Sequence, residues 1–441
     1  MKKYLLYSVL FFTTLTFISC SDDVKTQALG GVQPEEEIIN DLENPESVVE
    51  TDLGKAEYFN KALVDDNYIL INDKFGDKNV YLMNKDLEVL FKWPLNGKKL
   101  GNDAFILPNG KLLAMFQSED PSIKLGGFGG ILQILDKDGN VEWNYEYSTD
   151  DHIAHHDSEL LPNGNILFQS WERKTVTESE EAGSNMDIEL IPDALIEVDP
   201  SNNEIVWEWH AWDHLIQDYD ESKSNFGIVS ENPQLIDLNY VADENGDIMH
   251  ANGINYDAKN DLIYLSVNFF SEVWVIDHST TTEEAATNSG GAFNKGGDLI
   301  YRFGNPEAYQ NTSGERLFDH NHYPNLLEGS DEGKILIFSN GFTKEQSTAY
   351  ELRLPNPLSL QVNTNNEPQI EWSFTDETLF SPKVSGVVKL SNGNRLITEG
   401  NAGIWEVTEK GEVVWRFVGE GFFWRAYHYD KTSPEILSLG I

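Results

Sequence analysis

Leu161-Pro162-Asn163-Gly164-Asn165-Ile166-Leu167-Phe168-Gln169-Ser170-Trp171 is a tight turn running directly into an apolar strand. Asn-Gly supplies the residue types that accept positive φ most readily, and the run after it suits a pleated, buried surface. A turn of this kind joins antiparallel neighbours, so the residues before Leu161 read as a strand as well. The same unit, a turn or polar break before an apolar strand, recurs at residues 67–74, 107–117, 260–270, 332–341 and 390–400. Two more strands follow each one. The first set is 79–84, 131–137, 194–199, 273–277, 349–354 and 403–407, and the second is 89–93, 141–145, 205–209, 299–303, 370–374 and 413–417, with an aromatic near its centre.

Six repeats of four strands, none able to bury both faces alone, predict an all-β, six-bladed propeller with antiparallel blades over residues 51–441, ending in a C-terminal tail. A sandwich would need no repeated internal motif.

The repeats also mark a site. Counting back seven residues from the turn asparagine gives Asn102 before Asn109, His156 before Asn163 and Ser385 before Asn392. In the fourth and fifth repeats the strand before the turn again begins with a histidine, in Met249-His250-Ala251-Asn252 and Asn321-His322-Tyr323-Pro324. If that strand is the innermost one, His156, His250 and His322 converge on the axis at one end. Clustered titratable groups in a cavity point to a reactive site. His152, His155, His210, His214, His278 and His428 read as structural, with His155 the substitute should His156 face outward.

Three neutral imidazoles could hold a zinc-like ion with an open position, or act without metal as nucleophile, acid, base and anion donors. Spacing alone leaves both open. The chain has no His-Glu-x-x-His helix, Walker loop, dinucleotide fingerprint or Gly-x-Ser-x-Gly elbow, which argues against zincin, nucleotide-dependent and α/β-hydrolase chemistry.

With 31 basic against 74 acidic residues the formal charge is −43, and no basic patch offsets it, so nucleic acid is not an expected partner. Lys2 and Lys3, the apolar run from Leu5 to Phe17, and Ile18-Ser19-Cys20 resemble a bacterial lipoprotein signal. On that reading residues 1–19 are a signal peptide, Cys20 is the lipidated first residue, and 20–50 form an acidic tether. The expected location is extracytoplasmic, anchored by lipid to the outer membrane. Cys20 is the sole cysteine, so no intramolecular disulfide forms. Ser21-Asp22-Asp23 looks like the acidic export signal of some surface lipoproteins.

From about Leu107 onward the chain resembles the bacterial arylsulfate sulfotransferases. The resemblance is densest in residues 207–215 (Trp-Glu-Trp-His-Ala-Trp-Asp-His-Leu), 249–256, 271–282 (Ser-Glu-Val-Trp-Val-Ile-Asp-His-Ser-Thr-Thr-Thr), 299–306 (Leu-Ile-Tyr-Arg-Phe-Gly-Asn-Pro) and 335–341. It implies an extracytoplasmic six-bladed propeller that moves a sulfuryl group from an aryl sulfate to a phenol through a sulfohistidine, with no nucleotide sulfate donor, metal or other cofactor. The family's nucleophile falls on His322, and two histidines that hold sulfuryl oxygens and assist proton transfer fall on His156 and His250. Asn252 belongs to the matching His-x-Asn. An arginine that some members carry falls on Asn268, so Asn268, Asn252 and Arg302 become the expected substrate contacts, and Arg302 or Arg425 could supply the missing charge. Asn321, Tyr323 and Pro324 also depart from the family pattern around the nucleophile. A metal-dependent propeller enzyme and a non-catalytic ligand-binding surface lipoprotein are the alternatives. The long connection at residues 213–247 reads as a rim or lid, or as packing, built of short helical or turn elements.

Overall fold

The computed structural model describes residues 48–74, 80–241 and 245–441. Cys20, the expected leader and nearly all of the tether lie outside these residues.

Six antiparallel blades of four strands make up the domain, five as four-stranded sheets and the sixth within a sheet of six strands. Blade 1 pairs Phe423–Tyr429, Tyr68–Asp73, Val80–Met83 and Val89–Lys92; blade 2 pairs Leu100–Ile106, Leu112–Gln117, Gly130–Leu135 and Val141–Glu146. Blade 3 comprises His152–Leu160, Ile166–Glu172, Asp193–Asp199 and Glu204–His210, and blade 4 comprises Ala251–Asp257, Leu262–Val267, Glu272–Asp277 and Tyr301–Phe303. Blade 5 holds Asn321–Leu326, Lys334–Ser339, Thr348–Arg353 and Gln369–Phe374, and blade 6 holds Gly386–Lys389, Arg395–Glu399, Gly403–Val407 and Val413–Val418. The first-named strand of each blade touches its counterparts in both neighbouring blades, so the six close into an inner ring. This is the six-bladed propeller that the repeats predict.

The first repeat departs from the pattern. Its preceding segment, Gly54–Phe59, does not form the inner strand of blade 1 but pairs with Val413–Val418 on the outside of blade 6, where Val49–Thr51 extends the sheet further. The inner place is taken by Phe423–Tyr429, which pairs with Tyr68–Asp73 in the register His428↔Ile69. The ring is thus clasped twice, from both sides of the repeat array.

The turns show why the sequence folds this way. At Leu107, Leu161 and Leu390 the backbone N–H bonds the carbonyl four residues on, and the glycine N–H at position 110, 164 or 393 bonds back to the leucine carbonyl. Each turn asparagine caps the N–H two residues on, Asn109 to Lys111, Asn163 to Asn165 and Asn392 to Asn394. Gly164 sits at φ +90°, a conformation that costs a residue with a Cβ.

Packing is between blades. Leu195 and Trp209 of blade 3 share a core with Leu265 and Trp274 of blade 4, and Ile404 and Trp415 of blade 6 share one with Ile69 and Met83 of blade 1. Each such side chain contributes roughly 1.5–3 kcal/mol by leaving water. The connection between blades 3 and 4 contains short 3-10 turns at Ala211–His214 and Val229–Glu231 and a two-residue parallel pairing of Leu215–Ile216 with Ile236–Asp237.

Candidate active site

Five of the six inner strands break their register: between Leu100 and Ala104, His155 and Ser158, Ala251 and Gly253, His322 and Asn325, and Phe423 and Ala426. A bulge turns a side chain off the alternating face of its strand and is common beside reactive sites. Positive φ accompanies these breaks at His156 (54°), His250 (52°) and Tyr323 (57°). The structure brings His156, His250 and His322 together. The His156 and His250 rings lie 4.9 Å apart, and Trp424 of the closing strand packs against both His156 (5.5 Å) and His322 (6.2 Å).

Each ring is held differently. Asn340 donates its amide N–H groups to the carbonyls of Ser381 (2.8 Å) and Val384 (3.1 Å), so its Oδ1 is presented to Nδ1 of His322 at 2.6 Å. An amide with both donors spent on carbonyls can only accept there, which places the His322 proton on Nδ1 and the lone pair on Nε2. That lone pair accepts from the N–H of Val384 at 3.1 Å. Burial holds His322 down to about 3, against the bond to Asn340, with the nearby positive charges of His250 and Arg425 adding to the depression.

His250 gives Nδ1 to Asp247 Oδ2 at 2.5 Å. A carboxylate on one nitrogen fixes the ring and directs proton exchange to the other, Nε2. Phe269 stacks on the ring at 4.9 Å. His156 contacts His155 through their Nδ1 atoms at 2.8 Å, and burial, then the proximity of His250, keeps it neutral. Behind it His155 is stacked on Trp171 at 3.9 Å, with Asp193 Oδ1 3.0 Å from its Nε2 but off the direction of a hydrogen bond. Burial raises Asp193 well above the ordinary carboxylate range.

The sequence of residues 60–435 matches the family profile described as Arylsulfotransferase (ASST). The chain belongs to the arylsulfotransferase family. It is therefore a transferase, and an aryl sulfate donor with a phenolic acceptor fits that membership. No curated protein sequence matches. Among solved structures, the chain is similar to the β-propeller domain of Myceliophteria thermophila Cps50 (Swd1), at 12% identity over 89% of this chain and 97% of that one with a TM-score of 0.44. It is similar also to a putative 6-phosphogluconolactonase from Bacteroides fragilis (12% identity, 83% and 99% covered, TM-score 0.40) and to BamB from Moraxella catarrhalis (9%, 88% and 94%, 0.35).

Two of the expected substrate contacts of this arylsulfotransferase adjoin the histidines and the third does not. Asn252 and Asn268 both donate to the carbonyl of Asn321, at 2.7 and 3.1 Å, and so brace the residue before His322. Arg302 is not brought to the site. It sits on the outermost strand of blade 4, its guanidinium bonded to Glu272 and to the carbonyls of Pro233 and Leu235 and lying over Tyr309. A buried arginine is held by its counter-charge, and Glu272 is that counter-charge. Arg425 adjoins the site on the closing strand, but its Nη1 bonds both oxygens of Asp157 (3.1 and 3.0 Å) while the guanidinium covers Tyr323.

Three contributors have no place in the repeat pattern of the sequence. Trp424 walls the histidines because the closing strand is innermost in blade 1. His320 stands beside the site, bonded to Asp319 at 3.1 Å and close to Phe269 and Phe342. Asp247, the end of the long connection, carries a local signal in Asp247-x-x-His250. The connection therefore reaches the site through Asp247, while its Pro233 and Leu235 carbonyls dock on Arg302. His210, His214, His278 and His428 are tied to Glu172, Asp298, Glu197 and Asp65 respectively.

Proposed function

We propose that this arylsulfotransferase works by a two-step exchange through a sulfuryl group on His322 Nε2. The observation that supports it is the orientation of Asn340, which leaves Nε2 as the unprotonated nitrogen of a buried imidazole next to two further histidines. In the first step the Nε2 lone pair forms a bond to sulfur as the bond from sulfur to the aryl oxygen breaks. The departing phenolate takes a proton from Nε2 of protonated His250, whose charge Asp247 balances. In the second step an acceptor phenol gives its proton to His250 and attacks the sulfur. The N–S bond breaks and its electron pair returns to His322. His156 donates toward the sulfuryl oxygens as charge builds on them. No nucleotide sulfate enters the cycle.

The test is incubation with a chromogenic aryl sulfate and no acceptor, followed by alkaline quench and peptide mass spectrometry. One sulfuryl group on His322, discharged by added phenol, is the expected result; an adduct on another residue, or none with turnover intact, overturns the reading. The same assay over a panel of phenols defines the acceptor.

We propose further that Cys20 carries lipid and holds the enzyme outside the cytoplasm at the outer membrane. Lys2, Lys3, the apolar run and the cysteine after Ile18-Ser19 support this. Cys20→Ala should move the protein from the membrane fraction to the soluble one. Membrane retention of that variant would refute the anchor.

A further inference from the structure

A sulfuryl group carries negative charge on its oxygens, and the histidines alone do not answer it. His322 and His156 are kept neutral by burial, Arg302 is spent on Glu272, and the charge of Arg425 is balanced by Asp157 through Nη1, although its Nε and Nη2 bond nothing among the described residues. Another cation reaches this cluster. Lys74 follows the Tyr68–Asp73 strand of blade 1, and its ammonium bonds Asn102 Oδ1 at 2.9 Å. Asn102 donates in turn to Gly127 O at 2.7 Å, the same carbonyl that accepts the backbone N–H of His156 at 3.1 Å. Gly127 lies flat on the imidazole: a Cβ there would come 2.2 Å from Cε1 and Nε2 of His156. The backbone N–H of Lys74 bonds Phe422 O, two residues before Trp424. Lys74 is thereby tied to both walls of the histidine cluster.

We propose that Lys74 is the cationic contact for the sulfuryl oxygens of the donor, a specificity-determining residue for the reaction given above and resting on that reading. Among the described residues its ammonium has no carboxylate partner, only the neutral Asn102. A structural lysine in a protein with this excess of acid would be expected to find one. Burial lowers it to about 8, and its charge contributes to the depression of His156. Among the described residues the indole N–H groups of Trp171 and Trp424 and the Nε and Nη2 groups of Arg425 are also buried without a partner, so unused donors line the histidine cluster. An anion would satisfy an arrangement that is costly when empty.

The proposal is tested by calorimetric titration with inorganic sulfate at constant ionic strength, using the wild-type chain, Lys74→Met, Lys74→Arg and Lys74→Gln, with melting curves for each. Loss of a charge-assisted contact should weaken sulfate binding about ten- to a hundredfold in Lys74→Met and Lys74→Gln, with Lys74→Arg within a few-fold of wild type. Because the charge is partly buried with only a neutral partner among the described residues, Lys74→Met should melt at or above the wild-type temperature. Donor KM should rise while acceptor KM stays. Wild-type sulfate affinity in a folded Lys74→Met or Lys74→Gln, or no sulfate binding by the wild type, overturns the assignment. If the Lys74 variants lose sulfate but the wild type never transfers a sulfuryl group, the anion contact stands and the transfer mechanism falls; transfer with unchanged donor KM in the variants gives the reverse.

Discussion

The backbone N–H of Val384 points at Nε2 of His322 from 3.1 Å, so the proposed nucleophile rests with its lone pair covered. Val384 holds that position at φ 54°, with Ser385 after it at φ 91°. A β-branched residue in the left-handed region is strained by on the order of 1–3 kcal/mol.

Val384→Gly removes the strain and lets the segment leave His322 more readily. Rapid-quench measurement should show a burst of phenol release several-fold faster than wild type with the melting temperature unchanged or higher. A slower burst would mean that the N–H of Val384 assists the attack instead of masking it.

Asp247→Asn should lower turnover by about 10²–10⁴, and unequally across donors. A phenol that is already a good anion needs no proton as it leaves, so donors built on acidic phenols should lose least. A series of aryl sulfates graded by the acidity of the phenol gives the slope, and an equal loss along it would remove His250 as the general acid.

His322→Ala should abolish both adduct and turnover, because the covalent route goes with the nitrogen. His156→Ala and His250→Ala should slow transfer while leaving adduct detectable by mass spectrometry.

The buried imidazoles make the fold sensitive to acid. His322 binds its proton near pH 3 in the folded chain but near 6.5 when unfolded, so between those values the unfolded state holds more protons and stability falls as pH drops. His155 and His156 are shifted in the same direction. Urea melts from pH 7 to pH 4 should lose stability steadily, and His322→Gln should flatten the decline; an unchanged slope would show that the ring is not buried neutral.

The amino-acid sequence makes legible whatever repeats or lies close in the chain. Asn109, Asn163 and Asn392 mark three identical hairpins, and counting from them reaches His156; His250 and His322 follow from the same inner-strand position. Arg302 misleads because an arginine in a strand looks the same whether a glutamate meets it or a substrate does, and Glu272 is its partner across a neighbouring strand. Lys74 and Trp424 lie about 350 positions apart in the sequence. They become neighbours only when the ring shuts, and no local pattern encodes that. Nor does the first repeat reveal that its missing strand comes from residues 423–429 instead of from the segment before it.

That borrowed strand gives the site a place in time. Ribosomal synthesis makes His156, His250 and His322 well before Trp424, so a growing chain carries all three imidazoles on an open arc with one wall missing. Neither the cover over His322 nor the walls around it can be complete until the strand at Phe423–Tyr429 pairs with Tyr68–Asp73. Competence for group transfer is thereby tied to the last ring strand in chain order, and a chain cut short before it would carry its reactive residues without a chamber in which to use them.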